Sequence, residues 1–210
     1  MKIELENVLP ADIERRSMEI IGSELPHPCD PKTEPIVKRA IHTSADFDYL
    51  DNLVFSKDVV DHALEILQNH PIIITDTNMA KSGINKAALE KLGGEVHCFM
   101  ADPDIAAAAK ANGTTRATAI IDKAATMEGN IIFAIGNAPT ALVRIVELHA
   151  EGKLNPALVI GVPVGFVNVV QSKELIIESD MPHIVARGRK GGSNIAAAIV
   201  NALMYMITRK

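Results

Sequence analysis

The chain has 210 residues, of which 48% are hydrophobic and 22% charged, an ordinary globular balance that suits one domain over residues 1–210. A net charge of −5 argues against nucleic acid as a partner, and 3% aromatic residues without any tryptophan leave no stacking platform for bases. Two cysteines, Cys29 and Cys98, make neither a disulfide framework nor a CxxC zinc pattern, and they fit a reducing cytoplasm.

The first ten residues, MKIELENVLP, are acidic and lack the apolar stretch of a secretory signal. No apolar run approaches the roughly 20 residues of a membrane helix, so no membrane role is expected. Pro10 to Leu25 reads as a helix, with Ile13, Ser17, Ile20, Ile21 and Leu25 on one face. A break dense in proline (Pro26, Pro28, Pro31, Pro35) follows. A second helical stretch runs from about Glu34 to Ser44 and ends in the segment AIHTSAD.

Ser56 is expected to cap a third helix, which buries Val59, Val60, Ala63, Leu64 and Leu67. PIIIT (71–75) is the first strong strand. A helix near Ile84 to Lys91 and a Gly93-Gly94 stop precede a second strand, EVHCFM (95–100). A helix opens at Thr114 and runs through Ala125. Strands then begin at Ile131, Ala157 and His183, at equal intervals that leave room for a helical crossover each time. The pattern predicts an α/β fold: about five parallel strands with helices on both faces, preceded by N-terminal helical segments.

The last three strands each run into a glycine-rich segment and then a helical stretch. These segments are GNAPTAL (136–142), GVPVGFVN (161–168) and RGRKGGSN (187–194). The order strand, glycine turn, helix gathers all three at the edge of the sheet where open α/β folds bind ligands. In the first, Asn137 is a candidate helix cap and Pro139 suits the first turn, so Gly136 and Asn137 either offer backbone N–H groups to an anion or simply make a tight turn. In the second, Val162, Pro163, Val164 and Phe166 offer aliphatic walls, with Gly161 and Gly165 admitting a bulky ligand; the plainer reading is a loop buried under its neighbours. The third crowds Arg187, Arg189 and Lys190 beside Gly188, Gly191 and Gly192, with Ser193 as the cap of the final helix. Such cations favour carboxylates or phosphates, although a solvated basic turn has the same composition. Arg116 and Lys173 are further cations. No GxGxxG or P-loop pattern is present.

His42 lies among Thr43, Ser44, Asp46 and Asp48. A histidine among hydroxyls and carboxylates can move a proton, or it can serve only to bond the carbonyls at a helix end. Asp76 follows the first strand as a polar anchor or an Asx turn. No histidine pair has HExxH or HxH spacing, so a protein-bound metal is not expected.

Taken together and in order, ERRSM, AIHTSAD, the Asp76 loop, GNAPTAL, GVPVGFV followed by SK, and RGRKGGS resemble the precorrin-8X methylmutase family of cobalamin biosynthesis over nearly the whole chain. The Arg15-Arg16-Ser17 run and the Thr43-Ser44 pair after His42 are departures from some relatives. The resemblance implies a flavodoxin-like three-layer α/β/α fold, a homodimer with the ligand near the subunit interface, and no cofactor. It implies an isomerase that moves a methyl group from carbon 11 to carbon 12 of a corrinoid ring, formally a 1,5-sigmatropic shift, to give hydrogenobyrinate or, with cobalt inserted, cobyrinate. His42 becomes the candidate catalytic residue. Arg16, Ser17, Thr43, Asp76, Arg116, Gly136, Asn137, Gly161, Gly165, Arg187, Arg189, Lys190, Gly192 and Ser193 become candidates for holding a ring with many carboxylates. The alternatives are a non-catalytic carrier of corrinoid intermediates and an enzyme for a phosphate-bearing ligand.

Overall fold

The computed structural model describes residues 5–209; the first four residues of the acidic N-terminal segment lie outside them. A short 3-10 turn, Pro10–Asp12, leads into α1 (Ile13–Glu24), and α2 spans Glu34–Ser44. Then come α3 (Tyr49–Asn52), β1 (Leu53–Phe55), α4 (Val59–Leu67), β2 (Ile72–Thr75), α5 (Asn78–Gly83), α6 (Lys86–Lys91), β3 (Glu95–His97), α7 (Pro103–Ala111) and α8 (Arg116–Ala124). The remainder alternates strictly: β4 (Ile131–Ile135), α9 (Pro139–Ala150), β5 (Leu158–Gly161), α10 (Val169–Ile177), β6 (His183–Ala186) and α11 (Ser193–Thr208).

The strands form one sheet in the order β1-β6-β5-β4-β2-β3. The five strands from β2 to β6 are parallel and carry the flavodoxin-like order, with the direction of winding reversing between β2 and β4. The five parallel strands expected from the sequence are present, and a sixth strand joins them. β1 joins the far edge antiparallel to β6, with Leu53 opposite Ala186 and Phe55 opposite Ile184. Its three residues are too few for a period-two pattern to declare itself.

Side chains alternate across the strands into two cores. Ile73, Ile132, Ala134, Leu158, Ile160, Ile184 and Ala186 face α1, α2, α4, α5, α6 and α11. Ile74, Ile131, Phe133, Ile135, Val159 and Val185 face α7 to α10. The inner strands β2, β4, β5 and β6 are buried on both faces, which is why they read as unbroken apolar runs.

Several local expectations change. Ser56 does not cap α4; its hydroxyl accepts from the backbone N–H of His183 at 2.9 Å, while its own N–H bonds the His183 carbonyl at 3.0 Å. These bonds pin the end of β1 to the start of β6. Thr115, rather than Thr114, caps α8, accepting from Thr118 N–H at 3.1 Å. The helix predicted near 84–91 starts two residues later, as α6, because Asn85 caps it by accepting from Ala88 N–H at 3.0 Å, and a short helix the sequence reading did not include, α5, precedes it. β3 ends at His97, three residues before the predicted end of that strand.

The N-terminal helices cover the sheet through α11. The Tyr205 ring of α11 meets the guanidinium groups of Arg39 and Arg209, at 5.3 and 3.4 Å from its centroid. Glu14 of α1 accepts from both arginines, at 2.5 and 2.7 Å. The Arg39 bond, the larger cause, and Arg209 hold the Glu14 carboxyl below its usual range.

Phe133 is fully buried at the centre of the sheet. Phe133→Ala is expected to lower the unfolding free energy by about 3–5 kcal/mol, through lost transfer energy and a residual cavity. Urea denaturation followed by far-UV circular dichroism measures it, and a loss below about 1 kcal/mol would contradict a rigid core at this position.

Candidate active site

The crevice between β2 and β4 is where this fold offers an anion its best site, at the N-terminus of α9. That position is already filled from within the chain. Asp76, at the end of β2 and 1% exposed, accepts from Gly136 N–H at 2.9 Å, Asn137 N–H at 2.8 Å and Ala138 N–H at 2.6 Å. Burial raises the carboxyl pKa above the ordinary aspartate value, and the three backbone N–H groups oppose that rise. Asn137 therefore contributes its backbone N–H, not a side-chain cap; the capping position of α9 is Ala138. The same occupancy removes the motive for a phosphate-binding reading of GNAPTAL.

The three glycine loops pack on one another. A Cβ on Gly136 would sit 2.6 Å from Ser193 Cα, so this glycine lets the start of α11 close on the β4–α9 turn. Gly191 has φ +154°, and a Cβ there would lie 2.1 Å from the Val162 carbonyl oxygen. Gly192 N–H donates to that oxygen at 2.8 Å, and Gly165 N–H donates to the Arg189 carbonyl at 3.1 Å. Ser193 does not cap α11: the capping position is Gly192, and the Ser193 hydroxyl bonds that of Thr77 at 2.7 Å. Val162 and Pro163 are buried by this packing, so the aliphatic wall expected of them is supplied by neighbours. Val164 (49% exposed), Phe166 (80%) and Val167 (77%) form the apolar surface of this loop that remains open, and Met79 (70%) is exposed in the first turn of α5.

The cations divide by partner. Lys173 is buried and donates to the carbonyls of Gly188 and Lys190, both at 2.8 Å. Burial pushes its pKa down to about 8. It is a clamp on the basic loop. Arg187 makes a two-pronged pair with Glu174 at 3.0 and 3.2 Å. Arg16 pairs with Glu6 at 2.6 Å and lies 3.8 Å from Glu19, while the adjacent Arg15 pairs with Asp12 and Glu19. Lys190 contacts Asp46 at 2.6 Å and Asp48 at 2.5 Å, and these bonds hold its pKa above the usual lysine range. Arg189 lies over the Phe166 ring at 5.4 Å, and Arg116 reaches only the Met100 carbonyl at 3.5 Å. Among the described residues, these last two have no carboxylate partner.

His42 is exposed in the last turn of α2, which ends at Ala45 in a left-handed conformation (φ 55°). It lines a cavity of about 240 Å³ with Ser17, Ile20, Ile21, Glu24, Ile41, Ala45 and Phe47. Ser17 and His42, distant in sequence, thus share one space between α1 and α2. Their neighbouring hydroxyls are turned inward along the helices: Ser17 donates to the Ile13 carbonyl at 2.8 Å and Thr43 to the Arg39 carbonyl at 2.9 Å. Lys190 ties the turn after His42 to the basic loop, and Arg187 N–H donates to the Asn52 carbonyl at 2.7 Å. These links and β1 were not visible in the sequence, because each joins residues far apart along the chain.

Asp76→Asn would replace one acceptor oxygen with a donor and leave at least one of three N–H groups unbonded; a loss of about 1–3 kcal/mol in unfolding free energy is expected by chemical denaturation. Lys173 gives a pH dependence. Between about pH 8 and the ordinary value of 10.5, the unfolded chain binds more protons at this lysine than the folded chain does, so its contribution to stability rises with pH across that window and is flat below it. The unfolding free energy of the wild-type chain minus that of Lys173→Met should therefore grow from neutral pH toward pH ~10; a difference that shrinks over this range would contradict the assignment.

The family model described as precorrin-8X methylmutase matches residues 12–206. The cobalt-precorrin-8 methylmutase of Salmonella typhimurium is 51% identical over 83% of this chain and 82% of its own length. That of Priestia megaterium is 42% identical over 95% and 89%. The crystal structure of precorrin-8X methyl mutase from Thermus thermophilus superposes with a TM-score of 0.85 at 38% identity, covering 93% of this chain and 96% of that one. With its flavodoxin-like strand order and a match over almost its full length, the chain belongs to the precorrin-8X methylmutase family.

Proposed function

We propose that this protein catalyses the isomerisation that moves a methyl group from carbon 11 to carbon 12 of a corrin-ring precursor, precorrin-8X or its cobalt-containing counterpart, within a single domain over residues 1–210. Family membership supports the reaction class. The observation that carries the site assignment is the meeting of Ser17 and His42 in one cavity, beside an edge that presents exposed apolar side chains and arginines.

The substrate is a broad ring with an apolar face and a rim of carboxylates. Val164, Phe166 and Val167 offer surface to the ring. Arg116 and Arg189, without carboxylate partners among the described residues, are best placed to meet the rim. Arg16 and Arg187 would have to exchange their present glutamate partners to do so. Asp76, Gly136, Asn137, Gly161, Gly165, Gly192 and Ser193 serve by shaping the floor on which the ring rests. The migration is intramolecular, so its atoms balance without a nucleophile or external methyl donor. What remains for the protein is to hold the ring in a reactive geometry and to provide a proton or hydrogen bond near the migrating methyl, the task of His42. The reading includes a cytoplasmic homodimer with the ligand near the subunit interface, tested by sedimentation equilibrium.

His42→Ala is expected to lower single-turnover methyl migration by about 100-fold or more while product affinity stays within a few-fold of wild type. Both are read from the visible absorbance of the corrinoid. Full activity in this variant removes His42 from the mechanism. A wild-type protein that binds the precursor but leaves its spectrum unchanged would instead be a carrier.

A further inference from the structure

We infer that Lys190 is a positioning residue for the His42 turn and not a cation for the substrate. The inference deepens the proposed function and rests on His42 acting in the reaction. Three observations carry it. First, the ammonium group of Lys190 is held by two carboxylates, Asp46 at 2.6 Å and Asp48 at 2.5 Å. Second, those carboxylates belong to the turn between α2 and α3 that follows the helix end carrying His42. Asp46 N–H donates to the Ser44 hydroxyl at 3.2 Å, that hydroxyl donates to the Ala40 carbonyl at 2.8 Å, and an Asp46 oxygen accepts from Asp48 N–H at 3.1 Å. A pull on Asp46 and Asp48 is therefore transmitted to the last turn of the helix that carries His42. Third, the backbone of Lys190 is itself fixed, because buried Lys173 holds the carbonyls of Gly188 and Lys190 at 2.8 Å each. The connection runs from a buried ammonium group, through the basic loop, to the surface lysine and on to the turn.

Exposure separates the two uses of such a pair. The Lys190 side chain is 46% exposed, that of Asp48 62% and that of Asp46 29%. An ion pair this open adds little to global stability. Its loss can still release a turn whose geometry matters to a fraction of an ångström. Removing Lys190 should therefore leave the protein folded and bound to its ring, but slower.

The test uses the full chain, with hydrogenobyrinate as the binding probe and single-turnover migration as the rate. Lys190→Met is expected to lower the rate about 10- to 100-fold with product affinity within about threefold of wild type. Its melting temperature should shift by no more than about 4 °C. Amide exchange across residues 42–48 should quicken, and Lys190→Arg should restore most of the rate. The double variant Asp46→Asn/Asp48→Asn should reproduce the loss, and adding Lys190→Met to it should cost nothing more. If Lys190 instead grips a substrate carboxylate, Lys190→Met will weaken product binding about tenfold or more, and the double aspartate variant, by freeing the ammonium group, will tighten it. That pair of results overturns the inference. So does an unchanged rate in Lys190→Met when His42→Ala is inactive. A fully active His42→Ala overturns the proposed function instead, and unaltered amide exchange then overturns the brace as well.

Discussion

The carboxylate of Asp76 on the N-terminus of α9 is the contact around which this edge of the sheet is arranged. In a doubly wound sheet the reversal of winding leaves a crevice whose backbone N–H groups have no partner in the sheet. Here the chain satisfies three of them with its own side chain. The cost is a buried acid, and the gain is a β4–α9 turn held from the side by the strand next to it. With that turn fixed, Gly136 can receive the start of α11, and Gly191 and Gly192 can close on Val162. The edge becomes a floor of stacked loops. An anion that would enter this crevice in a nucleotide-binding relative of the fold would meet a carboxylate, which suits a ligand lying across the edge better than one entering it.

Charge at this edge is used mainly to join parts of the protein. Lys173 and Lys190 bind carbonyls and carboxylates of the chain, and Arg187 has Glu174. The basic composition of RGRKGGSN therefore overstates the positive charge offered to a ligand. Arg189, stacked on Phe166, combines the two features a carboxylated ring would meet: a flat apolar surface and a guanidinium at its rim.

Much of this was legible in the sequence. The unbroken apolar runs 71–75, 131–135 and 183–186 fall in strands because both faces are covered, and α2 was readable from its periodicity and its neighbouring proline. The three glycine segments gather at one edge of the sheet, as the order strand, turn, helix predicts, and the missing side chains of Gly136 and Gly191 make room there for other loops. Composition marks where a backbone approaches closely and is silent on what approaches it. β1 was missed because three residues carry no pattern, and the Lys190 pairs were missed because a charge does not announce a partner 142 positions away. His42 and Ser17 were both readable as candidates; only packing of α1 on α2 puts them in one cavity.

The pairing of β1 with β6 carries a consequence for how the molecule is made. β1 lies in the first third of the chain, and its strand partner among the described residues spans residues 183–186. α2 packs on α11, which spans Ser193–Thr208. During synthesis the turn that carries His42 is produced early and can rest on α1, yet its helix meets α11 only when that last helix leaves the ribosome. The parallel strands between them can assemble in order, each on the one before, while this segment waits. The packing of this segment is thus completed together with the C-terminus, so a chain cut short before α11 keeps the histidine and loses the helix on which α2 packs.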